Sequence, residues 1–247
     1  MKKNAVIFGA TSAICHAVAQ KLAQQGYGLY LLARDADKLT AVVDDIGARG
    51  GEILGRQSYD FVDHAGTKVL FESLLAMPLS FDAILIGHGE LPSQRDCEQD
   101  ALQLVSCLRS NLESTAVIMN YSANLLAEQK SGSLVVISSV AGDRGRKSNY
   151  YYGATKSALN AMLEGMRGKL REHGVSVINI KPGMVDTPMT AHLPRGPLLA
   201  DKQGVARVIV HAIAAGKSTT IYTPWFWRYI MLVIRLLPPA VIAKLNF

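Results

Sequence analysis

Residues 5–15, with the sequence AVIFGATSAIC, decide the fold. They begin with a short apolar run, Ala5–Phe8, that ends at a glycine. Apolar residues then recur at steps of three and four from Ile14 to Leu22, and the pattern closes at Gly26, which is typical of an amphipathic helix. The stretch therefore predicts a strand, a tight turn and a helix.

The same alternation continues along the chain and defines the fold class. The predicted strands after the first are Gly28–Leu32, Glu52–Tyr59, Ala83–Ile86, Leu134–Ser138, Val175–Ile180 and Thr219–Thr223. The predicted helices after the first are Ala36–Ile46, Ala65–Leu75, Cys97–Glu128, Tyr150–Glu172 and Lys202–Ala215. Continuous apolar strands that alternate with helices indicate a parallel sheet covered on both faces. We therefore predict an α/β fold, a single doubly wound Rossmann-type domain with a mainly parallel seven-stranded sheet and ligands at the carboxyl ends of its strands.

Length and cysteine content narrow the class of protein. The chain has 247 residues, 49% of them hydrophobic, and no linker or repeat interrupts it, so we expect one core. Its three cysteines form no CxxC pair, which indicates neither a disulfide framework nor a metal site and favours a reducing, cytoplasmic setting. The apolar run after Met1-Lys2-Lys3 breaks at residues 9–12, so we expect no export signal.

The charge balance favours an anionic partner. The formal net charge is +6 and the isoelectric point is near 9.2. Because the basic residues are scattered and are not followed by aromatic positions, we expect no nucleic-acid binding. The phosphates of a cofactor or an anionic membrane surface fit the excess charge better.

The turn at residues 9–15 lies where the first strand meets the first helix, a place where backbone N–H groups and the helix dipole can hold a pyrophosphate. Only Gly9 remains of the three glycines in a dinucleotide-binding turn, so a plain strand-helix connection stays open. Arg34 follows the second strand, where a guanidinium can pair with the 2′-phosphate of NADP. A solvated ion pair of Arg34 with Asp35 is the alternative.

Tyr152 and Lys156 are four residues apart in a predicted helix, so both side chains project from one face about a turn apart. A phenol titrates near 10, and a nearby ammonium together with an oxidised nicotinamide would favour its phenolate. Ser139 follows the strand Leu134–Ser138, where its hydroxyl can reach a carbonyl at the strand ends. A surface tyrosine and lysine is the alternative that the spacing alone leaves open.

Several landmarks in this order resemble the short-chain dehydrogenase/reductase family, and the resemblance runs from Ala5 to about Thr190. The landmarks are Asp60, Asn111, Ser139, Tyr152, Lys156, the pair Pro182-Gly183, and Thr187. The resemblance implies an oxidoreductase that uses NADP(H), with NAD(H) as the second choice, to reduce a carbonyl or oxidise an alcohol. A catalytically inactive NADP(H)-binding sensor or scaffold, and an epimerase or dehydratase on the same fold, remain as alternatives.

The resemblance also implies residue roles. Tyr152 would act as general acid toward the carbonyl, and Ser139 would hydrogen-bond the carbonyl oxygen. Lys156 would bind the nicotinamide ribose and lower the pKa of Tyr152, while Asn111 would hold a water of the proton relay. Asp60 would meet the adenine. The implied cofactor contacts are Gly9, Thr11, Ser12, Ala13, Ile14, Arg34, Asp60, Gly87, His88, Gly89, Tyr152, Lys156, Pro182, Gly183, Val185 and Thr187.

The sequence departs from the family pattern at two places. Ala13 and Cys15 stand where the family has glycines, so the turn must accept two extra β-carbons. The Asn-Asn-Ala-Gly segment of the family is replaced by Ile86-Gly87-His88-Gly89. His88 is a candidate for an additional base, but we favour a structural role because Tyr152 already fills the acid-base position.

Residues 224–247 form a hydrophobic tail that we predict to extend the NADP(H)-binding catalytic domain of residues 1–223. Both tryptophans of the chain lie in this tail, close to Arg228 and Arg235. It lacks the roughly 20 uninterrupted apolar residues of a membrane span, although its composition suits an interfacial position. Packing on the core or in a dimer interface is the alternative that we favour.

The tail, the turn at residues 9–12 and Gly87-His88-Gly89 also resemble a subgroup of this family, the reductases of decaprenylphosphoryl 2-keto-pentose. This resemblance implies a small-molecule or lipid-linked carbonyl substrate, with the tail contacting the inner face of the membrane. Because members of the family commonly pair through the helices that match Cys97–Glu128 and Tyr150–Glu172, we expect a homo-oligomer, either a dimer or a tetramer.

Overall fold

A parallel β-sheet of seven strands forms the centre of the protein. The computed structural model describes residues 2–191 and 196–244. The strand order is β3-β2-β1-β4-β5-β6-β7, and every neighbouring pair is parallel, which confirms the predicted fold class. The strands are β1 Asn4–Phe8, β2 Gly28–Ala33, β3 Glu52–Ser58, β4 Ala83–Ile86, β5 Ser133–Ile137, β6 Ser176–Pro182 and β7 Thr219–Thr223.

Helices cover both faces of the sheet. They are α1 Ala13–Gln24, α2 Ala36–Ala48, α3 His64–Leu75, α4 Gln94–Gln99, α5 Ala101–Leu108, α6 Ser114–Gln129, α7 Tyr150–Arg171, α8 Lys202–Ala215, α9 Trp227–Leu236 and α10 Pro239–Ile242. One core lies between the sheet and α1, α2 and α8, and a second core lies between the sheet and α3, α6 and α7. Along β1, Ala5 and Ile7 enter the first core and Val6 and Phe8 the second, as the alternation of a strand requires. Burial of each larger apolar side chain contributes about 1.5–3 kcal/mol.

The register of the sheet brings the chemistry-bearing turns to one edge. Phe8 at the end of β1 pairs with Leu32 of β2 and with Ile86 of β4. Because the strands are parallel, the segments that follow them, including Gly9 and Gly87, leave the sheet side by side. The switch in strand order next to β1 is the place where a doubly wound sheet opens for a ligand.

The predicted helical region Cys97–Glu128 is helical except for one break between α4 and α5. After the break, α5 continues through a π-helical segment at Arg109–Glu113 into α6. The break falls at Asp100, whose backbone is extended (φ −131°, ψ 112°) and whose carboxylate accepts a hydrogen bond from the Leu102 N–H at 2.8 Å. This carboxylate caps α5, and a cap of this kind starts a new helix even where the apolar pattern continues.

The tail packs on the domain through one side of α9. Trp227 and Met231 are buried and pack with Val140, and the Trp227 indole lies against Gly183. A β-carbon at Gly183 would come within 3 Å of this ring, so only glycine allows the contact. The opposite side of α9 is exposed. None of the helices that the structure describes is long and apolar enough to cross a membrane.

Candidate active site

A cavity of about 900 Å³ opens at the carboxyl ends of the strands. It extends from the turn between β1 and α1 to the start of α7 and to the segment after β6. All but one of the predicted catalytic and cofactor-binding residues line this cavity. They are Gly9, Thr11, Ser12, Ala13, Ile14, Arg34, Gly87, His88, Gly89, Asn111, Ser139, Tyr152, Lys156, Pro182, Gly183, Val185 and Thr187.

The remaining named residue, Asp60, lies outside the main cavity. It lines a small adjoining recess together with Arg34, Phe61 and His88. Its carboxylate accepts a hydrogen bond from the Val62 N–H at 3.2 Å, which shapes the turn after β3. Asp60 is therefore placed at the rim of the cavity, and its contact with adenine stays a prediction.

The turn at residues 9–15 has the geometry of a phosphate-binding turn. Gly9 has φ +82°, and a β-carbon there would lie 2.7 Å from the backbone nitrogen of His88, so a side chain is excluded. The Ser12 hydroxyl accepts a hydrogen bond from the Cys15 N–H at 3.3 Å and caps α1. The first N–H groups of a helix have no partner within it, and those of Ala13 and Ile14 begin α1 where both residues line the cavity.

The departure at Cys15 is matched by the glycine at position 87. A β-carbon at Gly87 would lie 2.3 Å from the Cys15 Sγ, so the thiol occupies the space that a side chain at position 87 would need. Cys15 is fully buried, and burial raises the pKa of its thiol to about 12. The thiol therefore stays neutral and fills volume between β1 and β4.

Two cations and one carboxylate that caps α2 line the cavity after β2. Arg34 and Lys38 both face it, and Lys38 forms an ion pair with Asp35 at 3.1 Å. The Asp35 carboxylate also accepts a hydrogen bond from the Lys38 N–H at 3.0 Å and caps α2, and this bond keeps the Asp35 pKa below its usual value. The carboxylate is thus engaged with α2, while the two cations give this end of the cavity a positive potential. Sequence reasoning missed Lys38, which the i, i+3 spacing from Asp35 could have revealed.

His88 is held by the helix beneath it. Its Nε2 lies 2.9 Å from the Ser114 Oγ and 3.2 Å from the Thr115 Oγ1. Burial, together with the Lys156 and Arg34 cations, lowers the His88 pKa to about 3, so the imidazole is neutral at physiological pH. Its Nδ1 is buried and has no hydrogen-bond partner among the described residues. A polar group of a bound dinucleotide would satisfy this nitrogen, which fits the cavity to such a ligand.

Ser139, Tyr152 and Lys156 meet at the other end of the cavity. The Lys156 Nζ lies 5.6 Å from the centre of the Tyr152 ring and donates to the Ile137 carbonyl at 3.4 Å. The Ser139 Oγ accepts a hydrogen bond from the Ala141 N–H at 3.1 Å, which fixes the hydroxyl at the end of β5. The predicted grouping of a hydroxyl, a phenol and an ammonium is therefore present in the geometry.

The pKa of Tyr152 differs from the expectation. Burial raises it to about 12, and the Ser139 side chain opposes this increase only in part. Burial also lowers the Lys156 pKa to about 8, and Lys156 is not among the groups that shift the Tyr152 pKa. In the protein alone, loss of hydration outweighs the hydrogen bond with Ser139 and the charge of Arg146, both of which lower the Tyr152 pKa. The phenol is consequently protonated at neutral pH, as a proton donor must be.

Asn111 owes its position to the π-helical segment at Arg109–Glu113. It is fully buried; its Oδ1 accepts the Glu90 N–H at 3.0 Å and its Nδ2 donates to the Cys107 carbonyl at 3.1 Å. A β-carbon at Gly89 would lie 2.7 Å from the Asn111 Oδ1 and 3.6 Å from the Lys156 Nζ. Gly89 thus keeps the passage between the amide and the ammonium open. The role of Asn111 in holding a water stays a prediction.

The cavity also contains residues that sequence reasoning did not find. After β6, the short 3₁₀ helix Pro188–Thr190 forms one wall, and Met189 adds an apolar side chain beside the catalytic end. Phe61 and Ile137 line the cavity as well. A proline that can begin a helix just after the sixth strand was the available signal for this wall.

Comparison with known proteins agrees with this geometry. The sequence pattern described as short chain dehydrogenase matches residues 3–197. The chain belongs to the short-chain dehydrogenase/reductase family. The predictions of an NAD(P)-dependent oxidoreductase of this family and of its Rossmann-type fold are therefore confirmed.

Relatives and solved structures of the short-chain dehydrogenase/reductase family cover nearly the whole chain. An uncharacterized oxidoreductase of Mycobacterium tuberculosis is 32% identical over 233 residues, which is 94% of this chain and 93% of that protein. One from Staphylococcus epidermidis is 28% identical and covers 86% of this chain and 91% of its own length. The structure of levodione reductase superposes with a TM-score of 0.80 at 21% identity, covering 90% of this chain and 95% of its own.

A short-chain type dehydrogenase/reductase from Mycobacterium ulcerans superposes with a TM-score of 0.78 at 20% identity. The superposition covers 95% of this chain and 96% of that one. At this level of identity the two solved structures establish the fold, and the substrate has to be argued from the cavity.

Proposed function

We propose that this chain reduces a carbonyl by hydride transfer from NADPH, on a sugar or a lipid-linked sugar. The observation that carries the proposal is the single cavity that has Ser139, Tyr152 and Lys156 at one end and the phosphate-binding turn at the other. A hydroxyl, a phenol and an ammonium around one point can receive a carbonyl oxygen and supply a proton to it. Residues 1–223 would carry this activity, with residues 224–247 as an extension of the same domain.

Each residue has a defined task in this reaction. Reduced nicotinamide supplies the hydride. Tyr152 donates its phenolic proton to the carbonyl oxygen, and its pKa of about 12 keeps that proton in place until charge develops on the oxygen. Ser139 donates a hydrogen bond to the same oxygen as that charge grows. Lys156, with a pKa near 8, is predominantly protonated at neutral pH, would hold the nicotinamide ribose when the cofactor is bound and supplies positive charge beside the phenol.

The positive end of the cavity supports the choice of NADPH over NADH. Arg34 and Lys38 lie where the adenine ribose of a dinucleotide would extend, and Asp35, a carboxylate that lines the same cavity, caps α2. A 2′-phosphate gains from two cations, and a guanidinium can hold it through two parallel hydrogen bonds. A free 2′-hydroxyl would lack the carboxylate partner that NAD-binding sites provide.

The proposal includes assembly and location. Leu102 and Val105 on α5 and Met162 on α7 are apolar and exposed, which supports a homo-oligomer formed through these helices. A lipid-linked substrate requires access from a membrane, so we place the enzyme at the inner face of one, with its catalytic domain in the cytoplasm. The distribution of charge and apolar surface on the tail is consistent with that location.

A second candidate is a sensor or scaffold that binds NADP(H) without turnover. Ala13 and Cys15, which replace two glycines of the family, are the observation in its favour. A fluorescence titration with NADPH and NADH, followed by absorbance assays with aldehydes, cyclic ketones and keto sugars, separates the two. We expect NADPH to bind more tightly than NADH, and we expect at least one keto compound to oxidise NADPH in the presence of the protein. Binding without oxidation by any carbonyl favours the sensor, and absence of binding overturns both candidates.

A further inference from the structure

Helix α9 is apolar on the side that faces solvent as well as on the side that packs. The side chains that point outward from α9 are 54–77% exposed; they are Tyr229, Leu232, Val233 and Leu236. Trp225, just before the helix, is 73% exposed. Inward, Trp227 and Met231 fill the contact with the domain. Exposed apolar surface of this kind marks an interaction site.

The tail that contains α9 is also cationic. Residues 1–201 contain 20 basic and 20 acidic residues, so this part of the chain carries no formal net charge. Residues 202–247 contain six basic residues and no acidic one, and three of the six, Arg228, Arg235 and Lys244, lie in the tail. Two of these cations, Arg228 and Arg235, are exposed on α9 itself, along one edge of its apolar outward face. The surface therefore combines apolar area with positive charge.

We propose that the outward face of α9 docks on the surface of an anionic phospholipid bilayer. Tryptophan and tyrosine beside arginine are the residues that occupy the boundary between headgroups and acyl chains. At ten residues, α9 is about 15 Å long and would lie in the plane of the surface. A second copy of the chain is a poorer occupant, because a symmetric contact would bring two acid-free cationic tails together.

The docked helix would bring the catalytic cavity close to lipid. The inward side of α9 contacts Gly183, which lines the cavity, and Val140, which follows Ser139. Since a helix with its side chains is about 10–12 Å across, one helix separates the bilayer surface from the cavity wall. This inference deepens the proposed location and supports a lipid-linked substrate. Its test requires no catalysis, so it can fail while the proposed reductase activity holds.

Flotation of the full-length protein with vesicles tests the proposal. Vesicles of phosphatidylcholine with phosphatidylglycerol should carry the wild-type protein upward, and vesicles of phosphatidylcholine alone should carry much less. Leu236→Asp should lower the partition coefficient at least about tenfold, because it places a carboxylate in the apolar face. The matched control is Val69→Asp on α3, because Val69 is also an exposed apolar residue, at 62%, and lies outside the proposed oligomer interface; it should float like the wild type.

A charge variant tests the anionic preference separately. Arg228→Glu should lower binding to the anionic vesicles by about fivefold for each unit of positive charge lost, whereas Lys169→Glu on α7 should leave it unchanged. Circular dichroism and NADPH binding check that each variant is folded. Equal binding to both vesicle types overturns the anionic part of the proposal. Absence of wild-type binding, or an oligomer that Leu236→Asp dissociates without any vesicle binding, overturns the proposal entirely.

Discussion

The two ends of the cavity follow the family pattern to different degrees. At the catalytic end, Ser139, Tyr152 and Lys156 match the family, and proton transfer requires those functional groups. At the turn end, Ala13 and Cys15 replace glycines and Gly87 replaces an asparagine. The requirement there is space, and the Cys15 thiol fills the volume that a side chain at Gly87 would need. The catalytic end therefore requires particular functional groups. At the turn end, a larger residue at one position can be matched by a smaller residue at a neighbouring position.

Replacing the phenol tests the catalytic end and should have the largest effect. Tyr152→Phe keeps the ring but removes the proton donor, so the rate constant for carbonyl reduction should fall by about 10²–10⁴-fold. NADPH binding, followed by fluorescence, should change little. Tyr151→Phe, one residue earlier, is the control and should retain activity. A Tyr152→Phe enzyme within a few-fold of the wild-type rate would contradict the assigned role.

A substitution at the turn end should act through packing. In Gly87→Ala, the new β-carbon would lie 2.3 Å from the Cys15 Sγ, so we expect a loss of about 1–3 kcal/mol in the free energy of unfolding and weaker NADPH binding. Removing the thiol in the Cys15→Ala/Gly87→Ala double variant should restore part of the lost stability, with a coupling energy of about 1 kcal/mol or more. The other close contact of the new β-carbon, with the Ile137 Cδ1 at 2.8 Å, remains.

Urea unfolding of the wild type, both single variants and the double variant measures this coupling. Gly165→Ala in α7 is the control, because a β-carbon there meets nothing within 4 Å, and it should not destabilise the fold. Additive effects of the two substitutions would show that the side chains at positions 15 and 87 do not compete for the same space.

The positive side of the turn end can be tested with both cofactors. Arg34→Ala should weaken NADPH binding about tenfold, which corresponds to ~1.4 kcal/mol, and should leave NADH binding nearly unchanged. Arg49→Ala, which removes a guanidinium that pairs with Asp45 at 2.9 Å away from the cavity, should affect neither cofactor. Titrations of both cofactors against the three proteins provide the measurement. An equal loss for NADH and NADPH would contradict selection through the 2′-phosphate.

The smallest expected effect is a pH dependence of stability at the catalytic end. Burial lowers the Lys156 pKa from 10.5 to about 8, so between these values the unfolded chain binds a proton that the folded protein has released. The cost of burying this ammonium is therefore full below pH 8 and declines as the pH rises. Relative to Lys156→Met, the wild type should gain about 1 kcal/mol for one pH unit above 8. Parallel pH profiles of urea unfolding for the two proteins would contradict the lowered pKa.

The sequence was sufficient for features that depend on local pattern. Apolar runs and helical spacing placed all seven strands within three residues of their bounds. The central strands are predictable because a strand buried on both faces has to be apolar along its length, as β4 is, whereas the edge strands β3 and β7 are only partly buried. The spacing of Tyr152 and Lys156 on one helix also placed both side chains at the cavity. Both predictions rest on regular geometry that a short stretch of chain specifies by itself.

The remaining features depend on contacts between distant parts of the chain. The break at Asp100 requires a side-chain cap within a continuous apolar pattern, and the π-helical segment that positions Asn111 has no sequence signature of its own. The exchange between Cys15 and Gly87 joins residues of two different strand-helix connections. The lowered Lys156 pKa reflects burial by the whole domain, which spacing along a helix does not reveal.

The contact between Trp227 and Gly183 gives the protein a natural spectroscopic probe. The chain has two tryptophans; Trp225 is largely exposed, and Trp227 is buried against a residue of the cavity wall. Reduced nicotinamide absorbs light in the range where indole emits. In a Trp225→Phe protein, emission would therefore come from one fluorophore beside the cavity, and its quenching would follow dinucleotide occupancy in real time without a label.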